Sequence, residues 1–396
     1  FIDSAPVNGV SECQALWVWG MTGKNFLKRC WKASPQSLHY LLLGGLCLLR
    51  AQKRVTAADA APLLVCGAFR NSSGLAQSAR LYAQRQQRMG ADVLLVDITA
   101  TMLQQRDFTP AEEPLDPEQI LNTRGRGTVV IHANPPQFQL ALCKLGKDFL
   151  RGKRLIGYWA WELETIPDIW RQALQYVDEV EVPSTFVQRA LQGHTNKKIS
   201  VVPHAVPQPA RRKAVYAEDG VLRCLFVFDA ASSFERKNPL AALKAFELAF
   251  APGEAELTFK VSNYQADNRA FAVFQGACAR VPGVRILAET FSHAALEELY
   301  LRHDVYLSLH RSEGYGLTIR EAMLYGLHVV ATGWSGNMDF MTGALAHPVS
   351  YRLVPVNMTS GSYKGLKATW AEADVREAAG ILQELRRRLP SQRADA

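Results

Sequence analysis

The stretch that decides the fold is SLHRSEGYGLTIREAMLYGLHVVATGWSGNMDFM, residues 308–341. It starts at the end of an apolar strand pattern, passes through a glycine-rich turn and continues as a helical pattern. Glu313 and Glu321 flank this turn with seven residues between them, and the glycines allow the backbone to approach a ligand closely. Turns of this kind lie at the carboxyl edge of a parallel sheet, where open α/β sheets bind their ligands.

Strand and helix patterns alternate around this stretch in two successive runs. The strand patterns lie at 61–69, 91–98, 127–133, 155–161, 179–184 and 198–204, and then at 222–229, 256–263, 284–289, 304–310 and 328–332. Helical patterns separate most of these strands. Two runs of alternation predict two parallel-sheet α/β domains.

The boundaries of these domains follow from composition. A polar segment with two prolines separates the two runs and is predicted to be a linker. The predicted division is an N-terminal extension at 1–60, a first domain at 61–206, a linker at 207–220, a second domain at 221–365 and a C-terminal helical segment at 366–396.

Length, charge and cysteine content narrow the class of protein. A chain of 396 residues is too long for one ordinary hydrophobic core. The net charge of +8 favours anionic ligands. We expect no binding of nucleic acid. The seven cysteines include no CxxC pair, so we expect reduced thiols in the cytosol rather than a disulfide framework or a zinc site.

No window of the sequence reaches the roughly 20 apolar residues that a membrane-spanning helix needs. We therefore expect a cytoplasmic location, which includes the inner face of the cytoplasmic membrane. Residues 13–58 favour such a surface, because they hold seven basic residues, no acidic residue and three interleaved tryptophans. The alternatives are contact with a neighbouring domain, or a helical extension packed on the first domain with a solvated basic face. The basic residues are Lys24, Lys28, Arg29, Lys32, Arg50, Lys53 and Arg54.

The stretch SSFERKNP, residues 232–239, follows the first strand pattern of the second domain. Asn238 is predicted to cap the next helix, with Pro239 in its first turn. Arg236 and Lys237 would then lie beside a helix N-terminus, which already attracts anions. Two cations and free amides suit a diphosphate; the alternative is a solvated pair of charges on a loop.

The two glutamates of the opening stretch suit a different part of a ligand. Carboxylates repel phosphate but accept hydrogen bonds from the hydroxyl groups of sugars. A nucleotide sugar satisfies both requirements, because it carries phosphates in the middle and a sugar at each end. The alternative is that Glu313 is a turn residue and Glu321 a helix-surface residue.

The stretches SEGYGLTIREAMLYG and FERKNPLAALKAFELAF resemble two motifs of glycosyltransferase family 4, which contains retaining enzymes of the GT-B type. SLHRSEGYGL, TGWSGNMDFM and YRLVPV resemble members that build bacterial surface polysaccharides such as O-antigen and capsule. The resemblance covers about residues 61–390 and is strongest over 222–356. It implies GT-B architecture, with two Rossmann-like domains facing a central cleft and a C-terminal helix crossing back to the first domain.

The resemblance also implies roles for individual residues. Glu313 would act at the donor sugar and Glu321 would bind the ribose, while Arg236 and Lys237 would bind the diphosphate. His132, in TVVIHANPP, would reach the donor sugar from the first domain. Backbone contacts near the phosphates and sugar would come from Gly314, Tyr315, Gly316 and Leu317.

Acceptor residues are expected in the first domain. Trp159, Trp161 and Glu162 end a strand pattern, and aromatic faces pack against sugar rings; the alternative is core aromatics beside a helix cap. Ser73 and Gly74, in the loop RNSSG, are candidates for an acceptor or phosphate loop.

The expected activity is transfer of a hexose or deoxyhexose, of mannose or rhamnose type, with retention of configuration. The donor would be a nucleotide sugar and the acceptor a growing bacterial glycan, free or lipid-linked. No cofactor and no metal are expected, because the sequence has no plausible D-x-D motif at a strand end. The alternative is a non-catalytic glycan- or partner-binding module of the same fold within a larger assembly.

Overall fold

The computed structural model describes residues 36–50, 60–102, 104, 106–120, 125–217, 219–230, 232–263, 269–289, 291–358 and 362–389. The chain forms two compact units. The first contains the described residues up to Ala205 together with Asn357–Lys367, and the second contains the described residues of 206–356 and 368–396.

The first unit is built on a six-stranded parallel sheet. Its strands are β1 (Leu63–Gly67), β2 (Val93–Asp97), β3 (Thr128–His132), β4 (Arg154–Tyr158), β5 (Glu179–Val182) and β6 (Ile199–Val201). Its helices are α1 (Gln36–Arg50), α2 (Gly74–Arg88), α3 (Pro117–Ile120), α4 (Gln137–Leu150), α5 (Asp168–Leu174) and α6 (Thr185–Leu191). The strand order is β2-β1-β3-β4-β5-β6.

The central strands of this sheet are apolar because helices cover them. All five residues of β3 are buried, as are four of the five in β1. Helix α2 packs so closely on β1 that a Cβ on Gly67 would lie 2.5 Å from the Cβ of Ala79. Because α2 is the next element after β1 in the chain, its N-terminus lies near the carboxyl end of β1.

The second unit contains another six-stranded parallel sheet and a small antiparallel pair of strands. Its strands are β7 (Leu222–Asp229), β8 (Ala255–Ser262), β9 (Val284–Leu287), β10 (Val305–Ser308), β11 (His328–Thr332), β12 (Ala346–Val349), β13 (Tyr351–Pro355) and β14 (Thr369–Ala373). Its helices are α7 (Phe234–Lys237), α8 (Pro239–Ala249), α9 (Arg269–Cys278), α10 (His293–Arg302), α11 (Leu317–Leu324) and α12 (Val375–Arg388). A 3-10 turn spans Gly336–Asp339.

The order of the second parallel sheet is β12-β11-β10-β7-β8-β9. Counted from β7 as the first strand, this is the 3-2-1-4-5-6 order of Rossmann-type domains, and it confirms the predicted fold class. The order reverses between β7 and β10, so the loops after these two strands meet at the topological switch point. In the first unit the corresponding point lies between β1 and β3.

The predicted linker, 207–220, is packed on the second unit rather than extended. Lys213 Nζ lies 2.9 Å from an oxygen of the buried Asp304, and the Ala217 amide donates to the same carboxylate at 3.0 Å. The Tyr216 hydroxyl donates to the Gly326 carbonyl at 2.7 Å. These contacts place the polar segment within the second unit.

The predicted C-terminal helical segment at 366–396 is wrong at its start. Residues 369–373 form β14, because they pair antiparallel with β13, and the helix begins only at Val375. The helix belongs to the second unit, where it packs on α8 and Gln383 Nε2 donates to the Ala249 carbonyl at 3.2 Å. Within the predicted second domain, the segment Asn357–Lys367 belongs to the first unit.

Most of the basic segment 13–58 lies outside the described residues, except for 36–50. This described part is helix α1, which packs on α4 and α5 and ends at the exposed Arg50. Among the described helices, none has the length and apolar character needed to cross a bilayer.

Candidate functional site

The switch point of the second unit joins the two loops that the sequence analysis singled out. The Arg311 amide, after β10, donates to the Arg236 carbonyl, after β7, at 2.7 Å. Asn238 Nδ2 donates to the Leu309 carbonyl at 3.1 Å. These hydrogen bonds hold the two loops together, and their charged side chains lie in contact with one another.

Glu313 lies between two cations. Its Oε1 is 3.1 Å from an Arg236 guanidinium nitrogen and 2.6 Å from Lys237 Nζ. Arg236 is only 2% exposed, and its other contacts fix it, because it donates to the Ser312 carbonyl and to Ser232 Oγ, each at 2.7 Å. The structure thus brings together Arg236, Lys237 and Glu313, as the sequence predicted for a shared ligand.

The charge state of Glu313 follows from this arrangement. Burial of the carboxyl raises its pKa, but Arg236, Lys237 and, to a smaller extent, His310 outweigh that effect and lower the pKa to about 2. The carboxylate is therefore ionised at neutral pH, and the three charged side chains carry a net charge of +1. That surplus favours an anion.

Two helix N-termini border this cluster. Asn238 is the N-cap of α8 and Pro239 its first residue, as predicted, but Asn238 has left-handed backbone angles and its side chain makes no capping hydrogen bond. Its side chain bonds to the neighbouring loop instead. Helix α11 starts after Gly316, whose φ of +91° favours glycine, and it also lacks a side-chain cap. Backbone N–H groups at uncapped N-termini bind anions.

The backbone beside Glu313 is packed without spare room. The Gly336 amide donates to the Glu313 carbonyl at 2.9 Å, and the Glu313 amide donates to Ser335 Oγ at 2.8 Å. A Cβ on Gly336 would lie 2.2 Å from the Gly314 carbonyl oxygen. Gly336, in the sequence WSGN, therefore allows the 3-10 turn to contact the loop that carries Glu313.

The backbone candidates of the turn differ in how they are packed. Tyr315 is 7% exposed, and its ring lies 4.9 Å from that of Phe340. Gly314 and Gly316 are buried, while Leu317 is partly buried at the start of α11. Their predicted contacts with a donor stay predictions.

Glu321 takes a different partner from Glu313. It lies on α11, and the hydroxyl of Tyr300 on α10 donates to its Oε2 at 3.0 Å. Burial raises the pKa of Glu321 to about 7, although the Tyr300 bond opposes this. The carboxyl is thus near half-ionised at neutral pH. Its predicted binding of a ribose stays a prediction.

His132 ends β3 at the switch point of the first unit. It is fully buried, its ring stacks on Tyr158 at 4.3 Å, and Nδ1 lies 3.1 Å from Ser78 Oγ. Burial, with a smaller effect of His204, holds the pKa of His132 well below its usual range, so the ring is neutral. Nε2 has no hydrogen-bond partner within the described part of the chain.

Ser73 and Gly74 lie at the other side of that switch point. Ser73 is the N-cap of α2, with its Oγ accepting from the Ala76 amide at 3.4 Å. The neighbouring Ser72 donates its hydroxyl to Asp107 at 2.6 Å. Ser73 therefore caps α2, and contact of this loop with an acceptor stays a prediction.

Trp159 and Trp161 are core residues. They are 0% and 3% exposed, and both pack against Trp170, with ring centroids 5.5 and 4.9 Å apart. Neither presents an aromatic face to solvent, so the core interpretation holds in this structure rather than the acceptor one. Glu162 is partly buried and accepts the Tyr363 hydroxyl at 3.0 Å.

His310 was not among the predicted site residues. It is fully buried beside Glu313, and within the described residues neither of its ring nitrogens has a hydrogen-bond partner. Burial lowers its pKa to about 4, although Glu313 opposes this, so it is neutral at pH 7. The signal in the sequence was a histidine at the end of an apolar strand pattern, at the carboxyl edge of the sheet.

No protein-family model and no curated protein matches the chain. Solved structures do match, at low sequence identity. Anabaena HepE in complex with UDP-glucose has a TM-score of 0.56 at 12% identity, covering 82% of this chain and 89% of that one. The E. coli trehalose-6-phosphate structure bound with UDP-2-fluoro glucose has a TM-score of 0.52 at 14% identity, covering 83% and 93%.

A glycosyltransferase from Rickettsia africae ESF-5 has a TM-score of 0.51 at 13% identity, covering 81% of this chain and 86% of that one. The chain has the GT-B fold. It spans about half, 51% and 48%, of two further matched structures, the pneumococcal O-GlcNAc transferase GtfA and S. aureus TarM.

We predict that Gly336→Ala destabilises the protein, because the new methyl group overlaps the Gly314 carbonyl. Overpacking of this kind costs about 1–3 kcal/mol. Gly380→Ala is the matched control, since a Cβ at this helical position meets nothing within 4 Å and should stabilise α12 by roughly 1 kcal/mol. Thermal denaturation should show opposite shifts, and an unchanged midpoint for Gly336→Ala would contradict the packing.

We predict that Glu321→Gln raises stability at pH 8 but not at pH 5. Burial raises the folded-state pKa of Glu321, so the neutral carboxyl is the form that favours folding. Its contribution to the free energy of unfolding is fully present below pH 4.5 and is lost as pH rises towards about 7. Glutamine keeps the neutral form, so the gain at pH 8 should be on the order of 3 kcal/mol.

The measurement is the thermal midpoint at both pH values. Glu247→Gln on α8 is the control, since its carboxylate is half exposed. Equal effects of Glu321→Gln at the two pH values would contradict the assigned protonation state.

Proposed function

We propose that the protein is a retaining glycosyltransferase that moves a hexose or deoxyhexose from a nucleoside-diphosphate sugar to a growing glycan. One observation carries this proposal. At the switch point of a Rossmann-type sheet, Arg236, Lys237 and Glu313 form a cluster of net positive charge beside two uncapped helix N-termini.

A diphosphate fits the cationic side of this cluster. Lys237 Nζ donates to Glu313, and a phosphate oxygen can replace that carboxylate as its acceptor. Arg236 would keep Glu313 paired during the exchange, since its contacts to Ser312 and Ser232 hold it in place. Cations and helix ends in place before reaction stabilise the charge of a departing diphosphate.

The glutamates would bind the two sugars of the donor. Glu313 lies in the loop after β10, beside the proposed phosphate ligand Lys237, so we assign it to the hydroxyl groups of the transferred sugar. Glu321 is assigned to the ribose, whose hydroxyl pair can replace Tyr300 as its hydrogen-bond partner. His132 is assigned to the transferred sugar, since its Nε2 has no partner in the described residues.

The identity of the donor is proposed only as a class. Structures with the same fold bind UDP-glucose and UDP-2-fluoro glucose, which supports a nucleotide sugar. The resemblance to polysaccharide-building enzymes of family 4 favours a mannose- or rhamnose-type sugar and a bacterial glycan acceptor, free or lipid-linked. No cofactor or metal is part of this proposal.

The acceptor side of the site is proposed at the carboxyl edge of the first sheet. Ser73, Gly74 and Glu162 remain acceptor candidates, whereas Trp159 and Trp161 are withdrawn because they are buried in the core. The rival proposal is a non-catalytic glycan- or partner-binding module. Such a module has no need of a charged diphosphate cluster, so nucleotide binding separates the two.

We predict that Lys237→Ala weakens binding of the preferred nucleoside diphosphate about 10- to 150-fold. The reason is loss of a charge-assisted contact to phosphate, which contributes roughly 1.5–3 kcal/mol. Isothermal titration with GDP, UDP and dTDP first finds the preferred nucleotide and then compares variants. Lys244→Ala is the control, because that lysine lies exposed on α8 and pairs with Glu247. Unchanged affinity in Lys237→Ala would contradict the assigned phosphate site, and no binding of any nucleotide would favour the rival proposal.

We predict that the reaction product keeps the anomeric configuration of the donor. Nucleotide sugars are first screened for release of nucleoside diphosphate with a polysaccharide primer, and the product of the active donor is then examined by NMR. Glu313→Gln should lower the rate strongly while nucleotide affinity falls modestly, because its proposed contacts are to the sugar. An inverted product would contradict the retaining mechanism.

A further inference from the structure

Two cysteines from separate elements lie in direct contact in the first unit. Cys47 on α1 and Cys143 on α4 have their sulfur atoms 3.3 Å apart. Both are buried, with Cys47 fully enclosed and Cys143 8% exposed. They are 96 residues apart in sequence, so only the packing of α1 on α4 brings them together.

Further contacts of α1 with its neighbours lie near the cysteine pair. Gly44 faces α5, where a Cβ would lie 3.2 Å from Gln172 Oε1. The Cys47 thiol also lies 3.5 Å from the Gln139 carbonyl on α4. The helix is therefore seated tightly on its neighbours at the level of the cysteine pair.

The two thiols are not equivalent. The hydrogen bond from Cys47 lowers the pKa of Cys143; burial opposes this, and Arg50 contributes to the lowering. The same pairing, together with burial, raises the pKa of Cys47. Cys143 is thus the thiol that more readily becomes a thiolate, which is the reactive form of cysteine.

We propose that Cys47 and Cys143 form a redox-active dithiol site that a peroxide converts to a disulfide. The sulfur atoms need to approach by only about 1.3 Å to reach the bond length of a disulfide. The other three described cysteines, Cys66, Cys224 and Cys278, are buried free thiols and serve as internal comparisons.

The chemistry is balanced with hydrogen peroxide as the oxidant. The Cys143 thiolate attacks one peroxide oxygen, the O–O bond breaks, and the products are a sulfenic acid and hydroxide. Cys47 then gives up its proton and attacks the Cys143 sulfur, displacing the hydroxyl group, which leaves as water once protonated. Two thiols lose two electrons in total, and one peroxide is reduced to two waters.

The consequence for the molecule is a covalent bond between α1 and α4. In the reduced protein the described part of the basic segment, α1, packs on α4 and α5. Oxidation would fix this helix to the sheet domain, and cellular thiols would reverse the change.

The test uses the full chain, purified in reductant, freed of it and treated with a stoichiometric amount of hydrogen peroxide. Free thiols are alkylated in denaturant and the peptides mapped by mass spectrometry. We expect a linked peptide pair that contains Cys47 and Cys143, lighter by two hydrogen atoms, with loss of both alkylation sites. Cys66, Cys224 and Cys278 should stay fully alkylated.

Two variants locate the first oxidation step. In Cys47→Ser, the sulfenic acid at Cys143 has no partner and should be trapped by dimedone, whereas Cys278→Ser should still form the linked pair. The proposal is overturned if peroxide leaves Cys47 and Cys143 alkylatable in the wild type, or if Cys143 is oxidised there without linking to Cys47. The wild-type map decides the matter even if a variant folds poorly.

Discussion

The buried carboxylate of Glu313 is the constraint on which the rest of the candidate site depends. A charge removed from water is stable only with opposite charges and hydrogen-bond donors around it, and loss of one partner of a buried pair costs about 3–5 kcal/mol. Here the partners come from the loop after β7, while Glu313 comes from the loop after β10. The pairing therefore requires these two strands to be neighbours, which the parallel order of the sheet provides.

The same pairing explains why so much of the surrounding backbone is fixed. Arg236 can remain 2% exposed because carbonyl and hydroxyl oxygens accept its remaining hydrogen bonds. Gly336 must lack a side chain so that its amide can bond to the Glu313 carbonyl. The positive surplus of the cluster and the two helix N-termini then favour an anion without any rearrangement of the scaffold. Such preorganisation is the main way in which a protein stabilises developing charge.

Much of the fold could be predicted from local sequence. Apolar runs such as 222–229 and 328–332 match their strands residue for residue, because a parallel sheet covered by helices on both faces needs continuous apolar strands. Glu313, Arg236 and Lys237 could be associated because each follows a strand at the same edge. Between the strand patterns at 127–133 and 155–161 no helix was predicted, but the structure has the helix Gln137–Leu150, which is kinked at Gly146 with a φ of +76°.

The remaining features depend on contacts distant in sequence. Residues 369–373 have a helix-like composition, yet they form a strand because β13 lies beside them. Trp159 and Trp161 follow β4 at the edge where ligands bind, and only the position of Trp170 shows that they belong to the core. Asparagine is a common helix-capping residue, but the side chain of Asn238 donates to the Leu309 carbonyl instead. No local pattern specifies these partners.

The division of the chain between its two units limits how the protein can be recombined. The second unit consists of two separate stretches, and the residues between them, Asn357–Lys367, belong to the first unit. A fragment that stops at Val356 would lack β14 and α12, and with them the buried Leu382 and Leu385. Chimaeras that exchange the second unit for that of another protein with the GT-B fold therefore need three junctions rather than one, at 205/206, 356/357 and 367/368.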